Sequence, residues 1–379
     1  MRRLLPLLCG LLLAACGQRA ARPIGDFTLP VYTPRYASGF EITGAAGSRS
    51  TLVTVHNPWY GDEVTDQYLF IARDGEPAPA GFEGQVLRDE TRRVVCMSGS
   101  YIAMLDALGA ADRVVGVSGA QYLINETLRR RIARGEAADV GFDSNVDFER
   151  LMALRPDLVM LFGIGGADTA LTGKLRELGI PYLYMGEHCE ESPLGKSEWV
   201  VVAAEIAGLR TEGSRLFAAI PERYERLRAL AQQTAARPRV MPNTPYRDTW
   251  FMPARNSYMV RLLEDAGARY VFEENTATQT LPIDIEQAYY LTSKSDFWLN
   301  VSGCNTLDEV RRQNPRLADT PPVREGRVYD NNRRRNAAGG SDFWESGVLR
   351  PDRVLADLVH IFHPELSETD ELYYYRQLE

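Results

Sequence analysis

Residues 196–236 read as helix almost throughout, and a similar α/β pattern flanks them on both sides. Leu216, Ile220, Tyr224, Leu227 and Ala231 recur at helical spacing with Arg and Glu between them, giving one buried stripe and one wet face. Trp199, Val202, Ala203 and Ile206 form an earlier stripe that Gly208 is placed to end, and Pro221 predicts a kink in the longer piece. A helix of this length between matching halves is a spine joining two lobes.

The halves echo each other in detail. Asp147, Phe148, Glu149, Leu154 and then 157–160 (DLVM) are matched by Asp284, Ile285, Glu286, Leu291 and then 296–299 (DFWL). Upstream of each, a helical pattern ends in a glycine turn at Gly109 or Gly267 and runs into an apolar strand. This repeat predicts two related α/β lobes with parallel sheets.

Charge and length narrow the function. The 379 residues carry a net charge of −8, the wrong sign for a nucleic-acid partner, and the ordinary 45% hydrophobic content is enough for a full core. Arg2 and Arg3 precede an apolar run over 4–13, too short to span a bilayer but right for a secretory leader. The run closes on Leu13, Ala14, Ala15, Cys16, which resembles a bacterial lipobox and makes Cys16 the lipidated N-terminus of an exported protein. Removing Cys9 and Cys16 leaves Cys96, Cys189 and Cys304, with no metal-binding spacing; Cys189 and Cys304 are free to pair or not.

The chain therefore divides into a leader (1–16), an extension (17–92) whose alternating stretches 51–56 and 67–72 predict a β-rich meander, a first lobe (93–195), the spine (196–236) and a second lobe (237–379). In the first lobe, strand 94–97 runs into Ser98, Gly99, Ser100 and Tyr101, which open a helix. Such a loop is where open α/β sheets bind ligands.

The strings RVVCMSGSYIAMLDALGAADRVVGVS, DFERLMALRPDLVML and PDRVLADLVHIFHPEL occur in order over 93–366. Together they resemble the substrate-binding proteins of ABC importers for iron-siderophore, haem and cobalamin. The resemblance implies two Rossmann-like lobes joined by one long helix, with ligand held in a cleft between them and no resident cofactor. It makes the strand-to-helix loops cleft candidates: Ser98, Ser100, Tyr101, Gln121, Tyr122 and Phe162 in the first lobe, and Trp250, Phe251, Ser302, Asn332, Arg333 and Arg335 in the second. Phe162 falls where the family's cobalamin binder carries a tryptophan facing the corrin. An arginine among 333–335 would suit an anionic chelate, since a guanidinium fork recognises carboxylate bidentately. His188, between Glu187 and Cys189, is the histidine nearest the expected cleft, where one imidazole falls short of the several ligands a metal site takes.

Enzyme signatures fail on inspection. Gly163, Gly165 and Gly166 resemble a dinucleotide fingerprint, but Asp168 stands where its last glycine belongs. Gly116, Val117 and Ser118 lack the second glycine of a nucleophile elbow, for which Ala120 stands instead. The reading is a monomeric, lipid-anchored solute-binding protein of the cell envelope that captures an iron-siderophore or related metal chelate and passes it to a permease with its ATPase. A corrinoid or haem binder of the same family is the alternative, with an enzyme or a structural surface lipoprotein as the contrast. In the cobalamin member one glutamate on each lobe docks onto the permease, and the matching motifs place these at Glu149 and Glu264.

Overall fold

The computed structural model of the chain describes residues 21–59, 65–163, 169–367 and 371–379. Cys16 and the Gly165, Gly166, Asp168 segment lie outside them.

The extension forms a sheet of five strands in sequence order: β1 (Leu29–Tyr32), β2 (Phe40–Gly44), β3 (Thr51–His56), β4 (Asp66–Ala72) and β5 (Gln85–Arg88). Its first four strands pair antiparallel and β5 joins β4 in parallel. The first lobe contributes β6 (Val94–Cys96), β7 (Val114–Val117), β8 (Ala138–Asp139), β9 (Leu158–Phe162) and β10 (Tyr182–Met185), all parallel in the order β10-β9-β6-β7-β8. In the second lobe the strands are β11 (Arg239–Pro242), β12 (Pro245–Tyr246), β13 (Thr249–Met252), β14 (Arg269–Tyr270), β15 (Leu281–Asp284), β16 (Phe297–Leu299), β17 (Val328–Asp330) and β18 (Arg376–Gln377). One of its sheets runs β14-β11-β16-β17-β18, parallel except for the last pair, while β12, β13 and β15 make a small antiparallel sheet beside it.

The repeated letters have a physical basis. Asp147 and Asp284 each cap a helix N-terminus, accepting from Arg150 N at 2.9 Å and Gln287 N at 2.8 Å. Asp157 and Asp296 each sit just before the next strand and bind the backbone that enters its neighbour, Arg93 N at 2.8 Å and Arg239 N at 2.7 Å. The same two carboxylates thus start the same strand pair in both lobes.

The spine is segmented. Helices Pro193–Glu198 and Val200–Ile206 come first, Gly208 turns the chain at φ +69, and helix Arg210–Ala231 follows as the long connector. It ends at Ala231, earlier than residue 236, and contains Pro221. Phe217, Ile220, Tyr224, Leu227 and Ala231 supply its buried face. Residues 200–206 are buried on every side, which explains why that piece is apolar throughout, apart from Glu205.

The extension is more than an appendage. Three buried carboxylates around the start of the spine hold it down. Glu198 accepts from the Tyr32 hydroxyl at 2.7 Å and from the backbone N–H groups of Arg35, Tyr36 and Ala37 at 2.7 to 2.8 Å. Glu190 accepts from Ser38 N, Gly39 N and Trp199 Nε1. Glu205 accepts from Thr51 Oγ1 and is paired with Arg210. Phe40, Val53 and Leu69 of the extension share a core with Val94, Trp199 and Leu358. Gln85 and Gln67 offer side-chain carbonyls to Tyr182 N and Tyr184 N, which satisfies donors on the edge strand β10.

Candidate functional site

A cavity of about 840 Å³ opens between the lobes. The first lobe contributes Cys189, Glu190 and Glu191, and the second lobe supplies the rest of the wall. The floor comes from the carboxyl ends of two adjacent strands, β11 and β16, where Asn243 (φ +69) and Asn300 (φ +61) turn the chain through the left-handed region that asparagine tolerates. Phe251, Tyr258 and Trp344 supply aromatic faces; Phe251 is 43% exposed and Trp344 55%, both high for such large apolar rings. Amides of Asn256, Gln279 and Asn331, and hydroxyls of Thr244, Ser257, Thr278, Thr280 and Ser302, complete the polar surface. Such a mixture of ring faces and polar groups suits a small molecule larger than a simple sugar or ion.

Of the residues expected from sequence, Phe251 and Ser302 line this cavity. Two expectations are corrected by burial. Tyr101 has no exposed surface and its hydroxyl donates to Leu161 O at 3.2 Å, while Trp250 is equally buried with Nε1 donating to Pro242 O at 3.0 Å. Both are core. Ser98 caps helix Gly99–Ala107, and buried Ser100 donates to Glu187 Oε1 at 2.9 Å. Phe162 packs against His188 with ring centroids 4.4 Å apart, beside the wall and outside the lining.

Gln121 and Tyr122 belong to a seam where the lobes touch. Asn336 Nδ2 donates to the carbonyls of Gln121 at 2.9 Å and Leu123 at 3.1 Å. A Cβ at Gly340 would overlap the Tyr122 carbonyl, so only glycine allows this approach. Glu345 accepts from Ile124 N at 2.9 Å and Asn125 N at 2.7 Å, and on the cavity rim Asn256 Nδ2 donates to Glu191 Oε1.

The arginines are also engaged away from the cavity. Arg333 pairs with Glu371 at 3.1 Å, Arg334 with Asp342 at 2.6 Å, and Arg335 reaches Asn305 Oδ1 at 3.5 Å. None of the three lines it. Their neighbour Asn332 is buried, with Oδ1 accepting from Arg376 Nε; Asn331 is the lining residue from that loop.

Behind the wall lies a buried ionisable cluster. Burial pushes the Glu187 carboxyl up to about 7 against the pull of Lys196. Lys196, itself depressed by burial, donates to Glu187 O at 3.0 Å and lies 4.5 Å over the Tyr258 ring. Burial pushes His188 down to about 4, and its Nε2 lies 2.8 Å from Gly163 O, so the imidazole is neutral at pH 7. Among the described residues no group of three or more His, Cys, Asp and Glu side chains is arranged to hold a metal, and the three described cysteines are free thiols. Glu149 is exposed in the first turn of helix Phe148–Leu154, whereas Glu264 is half-buried and paired with Arg255 at 2.5 Å.

Sequence reasoning missed Trp344, Tyr258 and the asparagine pair. The asparagines had a signal: MPN and WLN each put Asn directly after an apolar strand, where a left-handed turn leads into a loop. Trp344 had none, since its approach to the cavity depends on packing of the short segment Asp342–Trp344.

Residues 94–333 match the family model described as periplasmic binding protein. An uncharacterized lipoprotein of Methanocaldococcus jannaschii is 25% identical over 332 residues, covering 82% of this chain and 77% of its own. Among solved structures, a periplasmic heme binding protein from Pseudomonas aeruginosa superposes with a TM-score of 0.58 at 19% identity, over 76% of this chain and 98% of its own. A protein of an ABC-type Fe3+-hydroxamate transport system from Saccharomonospora viridis gives 0.54 at 18% identity, over 72% and 94%. With two parallel-sheet lobes, a long connecting helix and a family match over more than half its length, this chain belongs to the periplasmic binding proteins, the non-catalytic solute-binding components of ABC importers.

Proposed function

We propose that this protein captures an iron chelate or related metal macrocycle in the inter-lobe cavity and delivers it to a membrane permease. The observation that carries the reading is the cavity itself: about 840 Å³, walled by both lobes, with the rings of Phe251, Tyr258 and Trp344 around polar amides. That volume and those flat faces fit a chelate better than a bare ion. Solved structures of similar shape include proteins described as binding heme and one from an Fe3+-hydroxamate transport system, which supports a metal complex as cargo. Attachment through lipidated Cys16 accords with relatives described as lipoproteins. On this reading Glu149 and Glu264 face the permease, the extension braces the first lobe, and helix Arg210–Ala231 carries the chain into the second. Native mass spectrometry and visible absorbance of protein purified in the presence of siderophores, corrinoids and haem test the assignment. A bound chelate at unit stoichiometry is expected; absence of any complex across all three classes refutes it.

A further inference from the structure

We infer that the cavity selects an uncharged or cationic metal complex with amide-like groups on its periphery, and rejects polyanionic chelates. This rests on the functional reading above and narrows it.

Among the described residues the cavity wall contains no Lys, Arg or His, and its charged residues are Glu190 and Glu191. Segments 60–64, 164–168 and 368–370 also lack Lys, Arg and His in sequence, while Arg2, Arg3 and Arg19 belong to the N-terminal 20 residues, outside the described ones. Arg255 pairs with Glu264, Arg333 with Glu371 and Arg334 with Asp342, Arg335 reaches the Asn305 amide outside the lining, and Lys196 is sealed behind Tyr258 and donates to Glu187 O. A carboxylate- or catecholate-rich ligand entering this space would lose hydration with no positive partner to replace it, and would face Glu191.

What the wall offers instead is amides. Asn243, Asn256, Gln279, Asn300 and Asn331 line one cavity. Asn243 and Asn256 spend one N–H on Phe251 O and Glu191 Oε1, and Asn300 bonds Met259 and Tyr375, but a primary amide has a second N–H and a second oxygen lone pair, so the set matches a periphery that mixes donors and acceptors, such as carboxamides or hydroxamates, and carries no net charge to reward an anion. The rings of Phe251 and Trp344 attract a flat apolar or cationic face.

Four chelates titrated into the purified full chain test this, with quenching of tryptophan fluorescence and calorimetry as readouts. Cyanocobalamin is the uncharged amide-bearing probe, ferrioxamine B the cationic hydroxamate, and haemin and a ferric catecholate siderophore the anions. At least one of the first two is expected to bind about a hundredfold or more tighter than either anion, roughly the factor carried by two missing charge-assisted contacts. Thr280→Lys, at an exposed wall position, is expected to recover about tenfold of affinity for the anions. Haemin or the catecholate binding wild type as tightly as the other probes, with no gain in Thr280→Lys, overturns the charge selection and leaves the chelate reading standing. Silence from all four probes overturns the chelate reading itself.

Discussion

Replacing Glu198 by Ala should loosen the extension from the rest of the molecule. Its carboxylate has no exposed surface and accepts four hydrogen bonds, three of them from consecutive backbone N–H groups at 35–37. Bonds to a charged acceptor each contribute about 1.5 to 3 kcal/mol, and stranding a buried donor costs about 1 to 3 kcal/mol. Because Arg35 is exposed, its N–H can recover a water, so the full sum is not expected. About 3 to 5 kcal/mol is a reasonable total, which corresponds to a fall in Tm of about 4 to 6 °C for a chain of this size. Thermal denaturation by circular dichroism measures the loss, and limited proteolysis shows whether residues 21–92 become the first fragment released. Glu198→Gln keeps one acceptor oxygen in place and should lose roughly half as much. If Glu198→Ala melted within about 3 °C of wild type with an unchanged cleavage pattern, the carboxylate would not be the clip.

Three further outcomes follow. Glu187 is raised to about 7 by burial, so between its unfolded value near 4.5 and pH 7 the folded state holds a proton the unfolded state has lost. Stability from this group therefore falls as pH rises through that window, on the order of 3 kcal/mol in all, and Glu187→Gln should flatten the difference in Tm between pH 5 and pH 7. Arg333→Ala with Arg335→Ala should leave chelate affinity within about twofold, because neither side chain lines the cavity; titration of the double variant decides. Glu149→Arg with Glu264→Arg should abolish uptake in cells carrying the cognate permease while affinity is retained, with a cost of about 1 kcal/mol in stability from the lost pair to Arg255. Normal uptake by that double variant would refute the docking assignment.

The lobes were legible in the sequence because a few carboxylates do repeated backbone work. Asp147 and Asp284 cap helices and Asp157 and Asp296 start strands, so selection of the same local geometry leaves the same letters. The spine was legible from its stripe, but its length was not: Ala235 and Ala236 continue a helix-favouring composition after the last i→i−4 bond, from Gln232 N to Arg228 O, has given way to turns. The candidate site was harder to read. Local pattern marks a strand-to-helix loop, yet Tyr101 and Trp250 turn inward to Leu161 O and Pro242 O, choices set by partners 60 and 8 residues away. Arginines 333–335 look available until Glu371 and Asp342 bring acids to Arg333 and Arg334, and Asn305 meets Arg335. The extension carried no sign of its attachment, since Glu198 and Glu205 read as ordinary helix glutamates and Glu190 as a loop one until their 152- to 166-residue contacts are seen.

The location of the cargo is tested most directly by anomalous diffraction from crystals of the protein grown with a tightly bound iron or cobalt chelate. The account predicts one strong metal peak in the inter-lobe cavity, with the chelate against Phe251, Tyr258 and Trp344. A metal peak outside the cavity, or an occupied cavity holding no metal, would contradict it.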